Sequence, residues 1–351
     1  MRNKNKANNK SVTIIGPYRY HNFGDDLVGA IMVRYLKMNG FSVFVPGLSK
    51  KNCAWLKIKH ASSITYTLKK SSRIIIGGGG ILGDSGIKPD DFYRIESLKA
   101  VLYGWLTSRK VIITGIGAGP LQKLFSRILT RLIVSLAYKV GIRDHESKLF
   151  LEKLGINGDK LIQGSDIALL WQHVLKYKAK PSTKLGIQFD INAYLEQLKK
   201  FGPNEIADIL KEYTGKNQKN ILLITNNSYP SELFQQNLPY VEELRYTFLP
   251  NFLNKLSSVR AIFTSHLHLA VAAYAARIPC FSIYVRDKTK RFYEQINHPE
   301  RAIHLKSASK ENVADFLQQL EDVKWTTDDE KNLIKLKKSA LRLVNFKKLI
   351  Y

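Results

Sequence analysis

The chain is predicted to be an α/β protein made of two Rossmann-like domains in succession, with ligands in a cleft at the carboxyl ends of the strands. Three observations predict this. Short Val- and Ile-rich runs exit repeatedly into glycine and then into longer segments of 3.6-residue apolar period, the pattern of parallel strands covered by helices. That pattern lapses once, over 173–184 (HVLKYKAKPSTK), where Lys, Pro, Ser and Thr read as a linker. A second strand series of similar extent then begins, so the expected domains are 1–178 and 179–351.

In the first domain the expected strands are VTIIG (12–16), FSVFV (41–45), RIIIGGGG (73–80), KVIITGIGAG (110–119) and KVGIRD (139–144). GDDLVGAIMVRYLKMNG and SKLFLEKLGI read as helices, each stopped by glycine. The second domain repeats the theme with KLGIQF (184–189), NILLIT (220–225), RAIFTS (260–265), PCFSIYV (279–285) and RAIHL (301–305). The C-terminal KNLIKLKKSALRLVNFKKLIY is a basic amphipathic helix, suited first to packing and second to anionic lipid.

Lys and Arg number 55 against 29 Asp and Glu, a net charge of +26, so a polyanionic partner is expected: nucleic acid, anionic lipid or a phosphorylated substrate. No helix-turn-helix, zinc-finger or aromatic RNA-binding motif is present, and nucleic acid is not the expected partner. Cys53 and Cys280 lie far apart and match no disulfide framework or redox spacing. The basic N-terminus leads into a strand rather than an apolar signal region, and no apolar run reaches about 18 residues. The expected location is the cytoplasm, with peripheral contact at the anionic inner face of the membrane.

Function is expected at the strand exits. After the first strand, Asn22, Gly24, Asp25 and Asp26 open a helix; capping accounts for one carboxylate, leaving the other, assigned to Asp25, as a base toward a hydroxyl. Gly78, Gly79 and Gly80 follow the third strand, where bare backbone suits an anion, although the run is neither a Walker loop nor GxGxxG in register. Arg143 ends another strand beside Asp144; a bidentate clamp on carboxylate or phosphate and a structural ion pair are both open. Asp166 in GSDIALL reads as structural.

SHLHLAVAAY places His266 and His268 at a spacing common in metal sites. On a strand they would share a face. On a helix they diverge by roughly 200°. The preceding strand ends at RAIFT, and no nearby Asp, Glu or Cys completes a ligand set, so no metal is expected. The next strand brings Lys288 and Lys290 to the same edge.

Taken in order, NFGDD, GGGGILGD, GIGAGPL, IRDHESKLFLEKLG, GSDIALL and LHLAVAAYAARIPCFSIYVRDKTKRF resemble the polysaccharide pyruvyl transferase family over nearly the whole chain. The resemblance implies a GT-B-like architecture, with the first domain on the acceptor side and the second on the donor side. It implies phosphoenolpyruvate as donor with no cofactor, and a glycan or lipid-linked sugar as acceptor. The pyruvyl group would pass to two sugar hydroxyls as a cyclic ketal, with release of phosphate. Asp25 stands at the first acidic position of the family's Gly-Asp-Glu-like motif, Arg143 in its Arg-Asp pair, His268 in its Arg-Leu-His motif, and Lys288 at the lysine after the next strand. Asp26 replaces the usual Glu, and His266 stands where the family has Arg. The implied chemistry uses Arg143 and Lys288 as anion clamps and divides two proton transfers between His268 and Asp25. The alternative is a GT-B glycosyltransferase using a nucleotide sugar.

Overall fold

The computed structural model describes residues 10–83, 90–177, 183–189, 203–214, 220–226 and 241–346. The chain divides into two compact units, Met1–Leu170 with Leu336–Tyr351, and Trp171–Lys335.

The first unit is a parallel sheet of β1 (Ser11–Ile15), β2 (Ser42–Phe44), β3 (Arg73–Gly77), β4 (Val111–Ile116), β5 (Lys139–Ile142) and β6 (Leu161–Gln163). Its order is β2-β1-β3-β4-β5-β6. The central strands read SVTII, RIIIG and VIITGI because they are covered on both faces, which removes the polar alternation of a half-exposed strand. The helices are α1 (Phe23–Met38), α2 (Lys50–Leu56), α3 (Ile64–Lys70), α4 (Asp90–Leu106), α5 (Leu124–Leu136) and α6 (His145–Lys153). On one side of the sheet, Ile74, Ile76, Ile113, Val140 and Ile142 pack with Val101, Ile133 and Val134.

The second unit pairs β7 (Leu185–Gln188), β8 (Ile221–Thr225), β9 (Glu242–Arg245), β10 (Ala261–Thr264), β11 (Cys280–Tyr284) and β12 (Ala302–His304), all parallel, in the order β12-β11-β10-β7-β8-β9. Counted from its own first strand, this is the dinucleotide-fold order 3-2-1-4-5-6, whereas the first unit follows the flavodoxin-like 2-1-3 pattern. Phe189, Phe263, Phe281, Phe316 and Leu317 fill its core.

The division lies at Leu170/Trp171, eight residues before the break expected at 178, and part of the expected linker, 178–182, falls outside the described residues. Trp171 accounts for the shift: it is buried, and its indole N–H donates to the Ala272 carbonyl at 2.9 Å. The C-terminal helix, Thr327–Val344, also departs from the expected partition, since Leu336 onward belongs to the first unit. Its stripe Leu333, Leu336, Ala340, Leu343 is buried, and Thr114 Oγ1 donates to the Leu343 carbonyl at 2.6 Å. This stripe is therefore committed to packing, while Ile334 and Leu341 of the same helix are exposed.

Candidate functional site

In an open parallel sheet, ligands collect beyond the carboxyl ends of the two strands where the connection order reverses, because neighbouring loops leave in opposite directions there. In the first unit these strands are β1 and β3, paired from Val12↔Arg73 to Ile15↔Ile76. In the second they are β7 and β10, paired from Ala261↔Leu185 to Thr264↔Gln188.

The β1 exit carries Tyr18 and Asp25, and the β3 exit carries the glycines. Asn22 is the α1 N-cap and accepts from Gly24 N at 2.9 Å, so neither aspartate is needed for capping. Asp26 is buried and accepts from Asn52 Nδ2 at 3.0 Å. Asp25 is partly exposed and lies against the glycine turn: a β-carbon on Gly79 would fall 3.0 Å from Asp25 Oδ1. Tyr18 donates to the Gly77 carbonyl at 2.9 Å; burial, then Asp25 and Asp26, push its hydroxyl well above its ordinary range. Tyr93 is raised by burial and then by Tyr20, Asp25 and Glu96. The Tyr20 and Tyr93 rings meet edge to face at 5.7 Å, and Tyr20 is exposed.

Gly78 and Gly79 are required by backbone φ values of +87° and +72°, and an anion bound at Gly79 would lie close to the Asp25 carboxylate. Gly80 is exposed, and a β-carbon there meets nothing within 4 Å. Gly79→Ala is therefore expected to cost about 1–3 kcal/mol and displace Asp25, while Gly80→Ala stays within about 0.5 kcal/mol of the parent. Urea melts of both variants check this, and equal stabilities would contradict the steric account.

Arg143 sits two strands away, after β5. Its NH1 lies 3.3 Å from Asp166 Oδ2 and its Nε 3.8 Å from Asp144 Oδ2, all three side chains being buried. The guanidinium lies over Gly117, where a β-carbon would come within 3.1 Å of it. Asp144 also caps α6 by accepting from Ser147 N at 2.8 Å, and Asp166 accepts from Ala168 N at 2.9 Å. Arg143 thus forms the ion pair that was one of the two readings open for it, and Asp144 also serves as a cap.

In the second unit, β10 ends at Thr264 and the helix Leu267–Ala275 begins after two intervening residues. His266 is its N-cap, with extended backbone, and its backbone N–H is held by Thr264 Oγ1 at 2.9 Å. His268 lies in the first turn and is buried. The two rings approach to 6.0 Å between centroids, so the divergence expected on a continuous helix does not occur. The cap residue stands outside the helical geometry on which that expectation rested. Among the described residues no group of three His, Cys, Asp or Glu side chains is arranged to hold a metal ion. Lys288 and Arg286, from the β11 exit, lie near enough to act on His266 electrostatically, whereas Lys290 points toward Glu294 at 3.8 Å.

A family model described as polysaccharide pyruvyl transferase matches residues 22–287. The chain belongs to the polysaccharide pyruvyl transferase family. No curated protein matches the sequence. Among solved structures, the UDP complex of MnaA from S. aureus is 13% identical, with a TM-score of 0.65, over 97% of this chain and 96% of that one. UDP-GlcNAc 2-epimerase from Methanocaldococcus jannaschii, in complex with UDP-GlcNAc and UDP, gives 14%, 0.59, and 97% and 99%. A glycosyltransferase from Rickettsia africae gives 11%, 0.55, and 98% and 96%. These likenesses establish a GT-B-type fold of two Rossmann-like domains.

In this pyruvyl transferase, burial and then the charges of His268, Lys288 and Arg286 hold His266 well below the ordinary 6.5. Its folded pKa is thus lower than its unfolded one, so the unfolded chain binds the proton first and stability is lost as pH falls below about 6.5. His266→Asn is expected to lose less melting temperature than the parent between about pH 7.5 and about pH 5.5. Equal losses would show that His266 does not titrate in this way. Arg286 was not singled out by the sequence reading, although the loop VRDKTKRF was visibly basic. Tyr18, Tyr20 and Tyr93 carried no sequence signal, because their relevance depends on meeting Asp25 from separate segments.

Proposed function

We propose that the protein transfers the pyruvyl group of phosphoenolpyruvate to two hydroxyls of one sugar in a cell-surface polysaccharide or its lipid-linked precursor, releasing phosphate. The reading is carried by His266 and His268 at the β7/β10 switch point, with Arg286 and Lys288 from the exit of the neighbouring β11 acting on His266. Phosphoenolpyruvate bears a phosphate and a carboxylate, and Lys288 and Arg286 are suited to hold both. His268 protonates C3 of the enol, which develops positive charge at C2. The first acceptor hydroxyl bonds to C2 and gives its proton to Asp25. The C2–O bond to phosphate then breaks, the second hydroxyl bonds to C2, and its proton leaves to solvent or the departing phosphate, closing the ketal.

Asp25 is supported as the acceptor-side base by its place at the β1/β3 switch point, and the exposed Tyr20 ring of the same β1–α1 connection is a surface on which a sugar can stack. The protein works in the cytoplasm at the anionic inner face of the membrane, where lipid-linked glycans are assembled. Among the described residues, no helix is long and apolar enough to cross a membrane.

Phosphate release from phosphoenolpyruvate should depend on a glycan acceptor, and phosphoenolpyruvate should raise the melting temperature while UDP-sugars do not. Stabilisation by a UDP-sugar without any response to phosphoenolpyruvate would replace this reading with nucleotide-sugar transfer.

A further inference from the structure

The apolar surface of the first unit is unevenly distributed. Among the described residues, nine of the sixteen exposed large hydrophobic side chains lie on α4 and α5. These two helices follow successive strands, β3 and β4, each crossing to the next strand in the same direction. Right-handed crossovers therefore place them side by side on one face of the sheet, where they pack against each other.

Each helix is two-faced. On α5, Leu129, Ile133 and Val134 are buried while Leu124, Phe125 and Ile128 point outward. On α4, Ala100 and Val101 are buried while Leu102, Trp105 and Leu106 are exposed. An outward apolar stripe on a surface helix costs hydration and is unusual unless something covers it.

The charges around the stripe indicate what covers it. From Ser97 to Arg143 the sequence contains eight Lys or Arg and no Asp or Glu. Of these, Lys99, Arg127 and Arg131 are exposed on the same two helices and Lys123 at the N-cap of α5. Apolar side chains including a Trp, bordered by these cations beyond the acidic first turns of α4 (Asp90, Asp91, Glu96), match the interfacial layer of a bilayer with anionic headgroups. A second copy of the chain fits less well, since a two-fold contact would set this basic border against itself.

We infer that the outward face of α4 and α5 is a docking surface for anionic membrane, with Trp105, Phe125 and Ile128 entering the interfacial layer and Arg127 and Arg131 meeting headgroup phosphates. The inference deepens the proposed function, on which it rests for its purpose: it brings the first unit to the surface where a lipid-linked acceptor resides. It also assigns the contact to these helices rather than to the C-terminal one, whose main apolar stripe is buried and which exposes only Ile334 and Leu341 among its large hydrophobic side chains.

The test is flotation of the full-length protein with vesicles of phosphatidylcholine alone or with about 30% phosphatidylglycerol. The parent should float with the anionic vesicles and lose binding in high salt. The double substitution Phe125→Asp, Ile128→Asp should reduce binding about tenfold or more at an unchanged melting temperature. Arg127→Gln with Arg131→Gln, which leaves the apolar stripe intact, should reduce it by about fivefold per residue and flatten the salt dependence. Parental flotation by both variants would overturn the inference. So would failure of the parent to bind anionic vesicles, or a parent dimer in sedimentation that Phe125→Asp, Ile128→Asp dissociates without any vesicle binding. The vesicle readout needs no turnover, so absence of pyruvyl transfer would count against the proposed function and leave this comparison intact.

Discussion

Replacing His268 with Ala is expected to lower the acceptor-dependent release of phosphate from phosphoenolpyruvate by about 10²–10⁴-fold, the usual contribution of a positioned acid or base. The loss should fall on kcat. Lys288 and Arg286 stay in place, so binding of the donor should change little, and the KM for phosphoenolpyruvate reports this separately. Because His268 is buried, a purely structural role would also predict damage on substitution. His268→Gln separates the two: it keeps a polar side chain of similar reach but cannot deliver a proton near neutral pH. A folded Gln variant with parental kcat would sink the assignment. A folded Gln variant as inactive as the Ala variant is the expected result.

Asp25→Asn should produce a fall of similar size, about 10²–10⁴-fold in kcat, with little change in stability. The contrast with its neighbour is the informative part. Asp26 is buried and accepts from Asn52, so Asp26→Asn brings two amides together and is expected to cost about 1–3 kcal/mol of stability instead. On that outcome two adjacent carboxylates on one helix turn separate into a chemical residue and a structural one. Rates and urea melts on both variants check the division. If Asp25→Asn were to unfold the protein while Asp26→Asn abolished turnover, the two roles would have to be exchanged.

The fold was readable in the sequence wherever strands are covered on both faces. β1, β3 and β4 are Val- and Ile-rich runs, broken only by a buried Thr in β1 and β4, that end in glycine or beside it, and they stand inside their sheet. β6 and β9 were not found, and both are edge strands: LIQ is three residues long, and EELR is mostly polar. With one neighbour and a solvated side, such strands have no need for the continuous apolar run that marks the others. The capping of α1 was read one step away from where it occurs, because Asn22, Asp25 and Asp26 are all residues that serve helix starts and only coordinates tell which accepts the Gly24 N–H.

The candidate site was legible in its residue types but not in its groupings. His268, Lys288 and Asp25 were named from local motifs. The joining of Arg143, Asp144 and Asp166 into one buried ion group needs β5 and β6 to be neighbours. The closeness of His266 and His268 depends on one residue being a cap and the other helical. Neither fact can be read from spacing alone.

The packing of Leu343 bears on how the chain is made. A β-carbon on Gly164 would fall 2.4 Å from Leu343 and one on Gly141 2.9 Å, while Thr114 is hydrogen-bonded to its carbonyl. These glycines leave a slot that Leu343 occupies. A ribosome adding about 5–20 residues per second leaves that slot open for roughly 10–35 s after Leu170 is made. The first unit is thus started first and completed last, and during synthesis the whole of the second unit is polymerised between its opening strand and its closing helix.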